Sequence, residues 1–242
     1  MLTSDPAATG HLPPLASALV VCAHPDDESF GLGAVLHTLA GTGCRLSVLC
    51  FTHGEASTLH GVGGDLADVR ARELAAASRR LGVTRVELLD YPDGSLAAQP
   101  ASELAAHAAR VAGEVGAEAL IVFDHDGITG HPDHQAATDA ALAAADTSGA
   151  TVLAWAIPEA VATALNDEFG TTFAGRDPDE VDIVLTVDRT AQLAAIACHA
   201  SQSRDNPVLR RRLELEGSHE WLRILRGPQR SRRHRGTGPS DG

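Results

Sequence analysis

One short stretch of the sequence limits what this chain can be more than any other. Residues 19–23 form an apolar run typical of a buried parallel strand, and Pro25 cannot continue the ladder of such a strand. The residues His-Pro-Asp-Asp-Glu occupy positions 24–28, and apolar residues then recur at helical spacing from about Phe30. Because ligands bind at the carboxyl ends of strands in an open α/β sheet, this stretch predicts a functional site.

A bound cation explains this polar cluster best. An imidazole and several carboxylates that are buried without partners cost folding free energy, and a divalent cation compensates them directly. We expect His24 and Asp27 to bind one metal ion from a single turn, which leaves Asp26 free for proton transfer. The alternative is that an aspartate caps the next helix while His24 lies at the surface. A lone aspartate would favour that alternative, but the whole cluster at the end of a buried strand favours the metal.

A second strand ends in a similar cluster. Residues 119–123 are apolar, and a polar stretch at 124–134 follows them before a helix predicted over 134–145. His131 and His134 are three residues apart at the start of that helix, so one can bind a metal while the other faces a substrate. Two histidines and one carboxylate, with a position left for water, form a known pattern for catalytic zinc. The alternative, an exposed His-rich loop, is disfavoured beside the first cluster.

Three motifs in this order resemble the LmbE-like, or PIG-L-like, zinc-dependent de-N-acetylases. They are Ala-His-Pro-Asp-Asp-Glu at 23–28, Thr-His-Gly-Glu at 52–55 and Gly-His-Pro-Asp-His at 130–134. Further segments at 69–77, 91–94 and 199–202 are similar to segments of the same family. The resemblance runs from about residue 16 to about residue 202, and it is specific for the family but not for a substrate.

The resemblance implies roles for the residues at both strand ends. His24, Asp27 and His134 would hold the zinc ion. Asp26 would be the general base that activates water, and His131 would stabilise the oxyanion and help to protonate the leaving amine.

The resemblance also implies residues that contact the substrate. Arg70 and Asp93 occupy family positions near the substrate's hydroxyl groups. The mycothiol enzymes of the family have a tyrosine two residues before the counterpart of His131, where this chain has Thr129, which argues against a close relative of those enzymes. His199 ends a predicted helix, and a helix-capping role is the alternative to a family role at this position.

The apolar runs predict six strands separated by helical patterns, at 19–23, 44–51, 83–89, 119–123, 151–157 and 181–187. This alternation indicates βαβ units, so we predict an α/β fold: a single Rossmann-like, three-layer αβα domain with a mostly parallel sheet. The domain is expected at 17–225, between a flexible N-terminal segment at 1–16 and a disordered basic tail at 226–242. Residues 160–180 are predicted to be irregular, as a flap over the cleft or a surface excursion. A helical pattern is predicted over 206–225.

Composition limits the compartment and the classes of partner. The 32 acidic residues outnumber the 19 basic ones, which gives a formal net charge of −13 and does not suit a nucleic-acid partner. The four cysteines fit no CxxC spacing, so buried thiols in a reducing cytoplasm are expected. No apolar run approaches the roughly 20 residues of a membrane span, and the N-terminus has no signal-peptide pattern, so a cytoplasmic location is expected.

The resemblance to the LmbE-like enzymes implies a zinc-dependent hydrolase that removes an N-acetyl group from a small acetamido-sugar conjugate of the N-acetylglucosaminyl type. Fe(II) and Co(II) satisfy the same ligand set, and the sequence sets no oligomeric state. The alternatives are an amidase acting on a thiol or other N-acyl conjugate, and a non-catalytic metal-binding module.

Three other classes of protein are disfavoured by the sequence. A receiver domain would need a lysine, which the chain lacks. A dinucleotide-binding domain would need glycines directly after the first strand, and a serine hydrolase would need Gly-x-Ser-x-Gly around Ser29.

Overall fold

A mostly parallel sheet forms the centre of the molecule. The computed structural model describes residues 10–59 and 65–227. Its strands are β1 (Ser17–Cys22), β2 (Arg45–Thr52), β3 (Val83–Tyr91), β4 (Ala119–Phe123), β5 (Thr151–Pro158), β6 (Gly175–Arg176), β7 (Ile183–Thr186) and β8 (His219–Arg226). Their order in the sheet is β3-β2-β1-β4-β5-β8-β7, and β6 pairs with β5 beside this path. The first five strands are parallel to their neighbours, whereas β8 is antiparallel to β5 and to β7.

Helices cover both faces of this sheet. They are α1 (Asp27–Phe30), α2 (Gly33–Gly41), α3 (Leu66–Arg80), α4 (Ala101–Val115), α5 (Gly127–Gly130), α6 (Pro132–Ser148), α7 (Glu159–Phe169), α8 (Thr190–Ile196), α9 (Ala200–Ser203) and α10 (Pro207–Glu216). Alternate residues of β1 enter two separate cores: Val20 packs with α2 and α3, and Leu19 packs with α4 and α6. The predicted three-layer αβα architecture is therefore confirmed. Within the described residues, no helix combines the length and the apolar character that a membrane span requires.

The strand order brings the two polar clusters of the sequence together. From β1 the chain adds β2 and β3 on one side, and then returns to add β4 and β5 on the other side. This reversal makes a crevice at the carboxyl ends of β1 and β4, which are direct parallel neighbours with Val20 opposite Ile121. The turn that follows Cys22 and the turn that follows Phe123 consequently face each other across this crevice.

The prediction that residues 160–180 are irregular was wrong for their first half. These residues begin with α7, which runs from Glu159 to Phe169 directly after β5. Val161, Ala162 and Leu165 are buried along one face of α7, and this packing stabilises a helix whose apolar stripe is short. The remaining residues include β6 and lie against the turn that follows β4.

The helix predicted over 206–225 was also wrong in its second half. Helix α10 ends at Glu216, where Gly217 adopts a positive φ of 57°, and the chain then forms strand β8. Glu220 and Leu222 are fully buried in β8, between β5 and β7. This antiparallel insertion depends on partners far away in the sequence, which a local helical pattern does not reveal.

Most of the two predicted terminal segments lies outside the described residues, namely at 1–9 and 228–242. Residues 10–16 of the N-terminal segment are described and contact the domain. The backbone N–H of Gly10 donates to the carbonyl of Val184 over 2.9 Å, and Leu12 and Leu15 pack against the core.

Candidate metal centre and active site

Ligand atoms from His24, Asp27 and His134 converge at the carboxyl ends of β1 and β4. His24 Nδ1 lies 3.2 Å from His134 Nε2, and Asp27 Oδ1 also lies 3.2 Å from His134 Nε2. The distance from His24 Nδ1 to Asp27 Oδ2 is 3.8 Å. Ligands at about 2.0–2.2 Å from a tetrahedral zinc ion lie roughly 3.3 Å apart. The three side chains are therefore close enough to be candidate ligands of one metal ion.

Neighbouring groups aim the lone pairs of two ligands into this site. His134 Nδ1 lies 3.1 Å from the carbonyl oxygen of Gly127, a bond that places the proton on Nδ1 and leaves the lone pair on Nε2. Asp27 Oδ2 accepts the backbone N–H groups of Ala23 and His24 over 3.1 and 2.9 Å, which leaves Oδ1 facing His134. Converging lone pairs repel one another, and a cation removes that repulsion.

The third ligand lies among carboxylates. His24 Nε2 is 3.1 Å from Asp93 Oδ1 and 3.4 Å from Asp133 Oδ2, so its Nδ1 lone pair faces the site. Burial alone would lower the pKa of His24, but Asp133 and Asp93 raise it to about 11. The site therefore strongly favours a positive charge. A second possible group of His24, His131 and Asp133 is less available, because Asp133 already accepts the backbone N–H groups of Gly94 and Leu96.

Asp26 lies beside the ligands in a strained backbone conformation. Its φ of 119° is rare for a residue with a side chain, and such strain costs on the order of 1–3 kcal/mol. Glu28 Oε2 accepts the N–H of Asp26 over 3.0 Å, and Arg70 Nη2 lies 3.1 Å from Asp26 Oδ2. Burial raises the pKa of Asp26 to about 6, although Arg70 opposes this shift. The structure thus holds a partly exposed carboxylate against the site.

Arg70 is a buried residue that connects three parts of the site. It donates to the carbonyl of Gly54 over 2.6 Å and to the carbonyl of Pro25, in addition to its contact with Asp26. A Cβ added at Gly54 would lie 1.9 Å from Arg70 Nη1, so only glycine allows this close approach. Arg70 and Asp93, the residues predicted near substrate hydroxyls, both line the cleft, where Asp93 also accepts the N–H of Ala56.

His131 lies next to the ligands and keeps a hydrogen-bond donor available. Its Nδ1 accepts the backbone N–H of Asp133 over 3.2 Å at the start of α6, so its proton resides on Nε2. Burial and the neighbouring His134 and His24 lower the pKa of His131. Its ring centroid is 4.9 Å from that of His24 and 4.8 Å from that of His134. The site thus has a neutral imidazole N–H beside the ligands.

A buried ion pair behind Asp26 was missed in the sequence analysis. His199 Nε2 lies 2.7 Å from Glu28 Oε1, and both side chains are fully buried. The capping role considered for His199 at the end of the preceding helix is wrong, because its Nε2 contacts Glu28 and its buried Nδ1 has no hydrogen-bond partner among the described residues. The signal in the sequence was the His-x-Ser-Gln segment at 199–202, but no local pattern connects residue 199 to residue 28.

The ligands open into a cleft of about 590 Å³ with two different walls. The polar wall contains Asp26, Arg70, Asp93 and His131. The apolar side chains of the lining, which we call the apolar wall, are Phe30, Phe123, Ile128, Trp155, Phe173, Val208 and Leu209. The guanidinium of Arg212 lies among them, 4.9 Å from the centroid of the Trp155 ring. The chain has only five Phe, two Trp and one Tyr, and three of these phenylalanines and one tryptophan line this cleft.

The sequence is similar to those of known deacetylases. The family model described as PIG-L, GlcNAc-PI de-N-acetylase, matches residues 19–145. A 1D-myo-inositol 2-acetamido-2-deoxy-α-D-glucopyranoside deacetylase of Salinispora arenicola is 32% identical over 239 residues, which span 79% of this chain and 77% of that relative.

Two solved structures share the fold at lower sequence identity. The N,N'-diacetylchitobiose deacetylase of Pyrococcus horikoshii superposes with a TM-score of 0.62 at 22% identity, over 87% of this chain and 84% of that one. The 4-carboxy-2-hydroxymuconate hydratase GalB of Pseudomonas putida superposes with a TM-score of 0.68 at 21% identity, over 87% and 96%. The fold alone therefore hosts more than one reaction. The match over more than half of the sequence, together with the 32% identical relative, shows that this chain belongs to the PIG-L family of de-N-acetylases.

Proposed function

We propose that this chain is a zinc-dependent hydrolase that removes the N-acetyl group from an acetamido-sugar conjugate of the N-acetylglucosaminyl type. The convergence of His24 Nδ1, Asp27 Oδ1 and His134 Nε2 carries the proposal, because three lone pairs aimed at one point need a cation. Family membership and the names of relatives such as the Salinispora deacetylase support the reaction. A bound zinc ion supplies a Lewis acid that polarises a carbonyl group and lowers the pKa of water.

Asp26 is the proposed general base. Its carboxylate lines the cleft beside the ligand residues, and the bonds from Glu28 and Arg70 fix both its backbone and its side chain. In the proposed reaction, Asp26 takes a proton from the attacking water and later returns it to the amide nitrogen, which must be protonated before it leaves. In this proposal one carboxylate performs both proton transfers, because Asp26 lies beside the same reacting atoms in both steps.

His131 is the proposed donor to the oxygen of the tetrahedral intermediate. The bond from the N–H of Asp133 to Nδ1 places the proton on Nε2, which makes His131 a donor without a positive charge. Removing one such donor typically lowers the rate by about 10²–10³-fold. We therefore expect His131→Ala to reduce kcat strongly while metal binding is kept.

The two walls of the cleft suggest how a conjugate is held. We place the sugar on the polar wall beside Asp93 and Arg70, two residues of the cleft lining that the family resemblance puts near the hydroxyl groups of the substrate. The substituent attached to the sugar would then lie along the apolar wall, against Phe30, Phe173 and Val208. A substituent with alkyl or aryl surface complements this wall better than a polyol does, since polyol hydroxyls would lose their water without gaining partners.

Amine release by the zinc-loaded protein tests this function. The panel contains N-acetylglucosamine and its inositol, octyl and 4-nitrophenyl glycosides, and each is assayed with wild type, Asp26→Asn and His134→Ala. We expect turnover with wild type, metal content without turnover for Asp26→Asn, and loss of both for His134→Ala. Wild-type turnover by Asp26→Asn would refute the base, and metal-loaded wild type without activity on any conjugate would refute the substrate class.

A further inference from the structure

The turn between β4 and α6 holds a strained residue that bears on a metal ligand. Ile128 has a φ of +66°, a conformation that a β-branched residue adopts only when its surroundings enforce it. The residue before it, Gly127, provides the carbonyl that accepts from His134 Nδ1. The orientation of His134 consequently depends on the conformation of this turn.

Residues 170–177, which we call the brace, fix this turn from outside. The N–H of Ala174 donates to the carbonyl of Ile128 over 2.7 Å. The hydroxyl of Thr172 donates to the carbonyl of Thr129 over 3.1 Å. These bonds hold the two peptide planes on either side of Thr129, and the first of these planes is the one that follows Ile128. The brace thus enforces the conformation that Ile128 would otherwise avoid.

Arg176 of the brace binds two aspartates of the same turn. Its Nε donates to Asp124 Oδ2 over 2.7 Å, and its Nη2 pairs with Asp126 Oδ2. Asp124 is 1% exposed and also accepts from Arg223 of β8 over 2.9 Å. Asp126 Oδ1 accepts the N–H of Ile128 over 2.8 Å, so the ion pair continues into the strained peptide. Arg176 therefore controls the start of the turn as well as its strained centre.

The brace has its own anchors, independent of the turn. Asn166 at the end of α7 donates to the carbonyl of Phe173 and accepts the N–H of Phe173, over 2.9 and 2.8 Å. Gly175 and Arg176 pair with the end of β5 as strand β6. Because these bonds fix the brace independently of the turn, the brace can hold the turn in its conformation.

We propose that Arg176 is a positioning residue for the metal centre, which acts through Asp126 and Gly127 on the imidazole of His134. It lies outside the matched residues 19–145, so this support is a property of the part of the chain beyond the family model. The inference goes beyond the proposed function, because it concerns how the ligand is oriented and not which substrate is cleaved. Groups that orient metal ligands typically change metal affinity by about 10–100-fold when they are lost.

Arg176→Gln tests the proposal, with Arg211→Gln as the matched control. Arg211 pairs with the exposed Glu168 and Glu214 and is not among the residues that line the cleft. Cobalt(II) replaces zinc as the probe, since its visible absorption reports ligand geometry while a titration gives the dissociation constant. We expect Arg176→Gln to weaken cobalt binding by about 10–100-fold and to change the absorption bands. Arg211→Gln should match wild type in both readouts.

A second set of variants keeps the proposal testable if Arg176→Gln folds poorly. Thr172→Val removes only one exposed hydroxyl, and it should weaken cobalt binding by a few-fold. Asp126→Asn keeps an oxygen for the N–H of Ile128 but removes the charge. If Arg176 acts through Asp126, the double variant should weaken cobalt binding by less than the sum of the two single effects in free energy. Full additivity of these two would overturn the route through Asp126.

Two outcomes separate this inference from the proposed function. A folded Arg176→Gln protein with the wild-type cobalt constant and spectrum would overturn the positioning role, whatever the activity. A wild-type protein that bound no metal would refute the ligand set. The imidazole ¹⁵N resonances of His134 would then test whether the brace orients this imidazole. Loss of the Nδ1–H bond signal in Arg176→Gln would support it, and an unchanged signal would refute it.

Discussion

Replacing His199 with alanine is expected to cost more stability than any exposed substitution in this chain. The imidazole lies 2.7 Å from Glu28, and both side chains are fully buried. The substitution leaves the Glu28 carboxylate inside the protein with only the hydroxyl of Ser29 and the N–H of Asp26 as donors. Breaking a buried ion pair by removal of one partner costs about 3–5 kcal/mol. For a chain of this size, that loss corresponds to a fall in Tm of about 6–20 °C.

The chain provides a matched control with the same chemical groups. His53 pairs with Asp90 over 3.0 Å, but the Asp90 side chain is 95% exposed. An exposed pair contributes about 0–1 kcal/mol, so His53→Ala should change the free energy of unfolding little. Urea unfolding followed by circular dichroism gives both values under the same conditions. Because both pairs join an imidazole to a carboxylate, the difference in unfolding free energy between the two variants measures the effect of burial.

The His199→Ala substitution should also affect the candidate active site. Glu28 accepts the N–H of Asp26, whose φ of 119° needs such support. We expect metal-loaded His199→Ala to lose turnover well below its unfolding temperature, with kcat affected more than KM because Asp26 is the proposed base. A His199→Ala protein no less stable than His53→Ala would refute the energetic reasoning. Unchanged kcat would refute the link to Asp26.

Three further outcomes are expected. Burial and the nearby Glu216 raise the pKa of Glu220 to about 7, so the folded state binds an extra proton between pH 4.5 and 7. Unfolding free energy should therefore fall by on the order of 3 kcal/mol as pH rises through this window, and Glu220→Gln should flatten the fall in urea titrations at several pH values. Gly54→Ala should displace Arg70, which its Cβ would meet at 1.9 Å, and lower both Tm and kcat. Removal of the metal with a chelator should lower Tm, and zinc should restore it in a concentration-dependent way.

The part of the site that could be predicted from the sequence is encoded in short local patterns. His24 and Asp27 follow one buried strand directly, and His131 and His134 follow another. Because parallel strands present their carboxyl ends at one edge, these turns had to meet once the two strands were neighbours. The structure brings His24, Asp27 and His134 within 4.8 Å of one another, the three residues that the family resemblance implied as ligands.

The rest of the site could not be predicted because its contacts are not local. The Glu28–His199 pair joins residues 171 positions apart, and Arg176 reaches Asp124 across 52 positions. Neither contact leaves a periodic signal. Strand β8 was mistaken for a continuation of α10 for the same reason, since only its pairing with β5 and β7 distinguishes it. Asp133 was overlooked as well, although its position between two histidines of one motif was a signal for a buried acceptor.

The chain after residue 145 holds the site in place, although the family model ends there. Each half of the site is fixed by a group from this later part: His199 supports Asp26 through Glu28, and Arg176 supports the turn of His134. Trp155, Phe173 and Val208, also beyond the match, form much of the apolar wall. The matched region thus contains the proposed reacting groups, whereas the later region contributes contacts to both turns and much of the apolar wall. We therefore expect substitutions of Trp155, Phe173 or Val208 to change the substrate preference of this chain more than its metal binding.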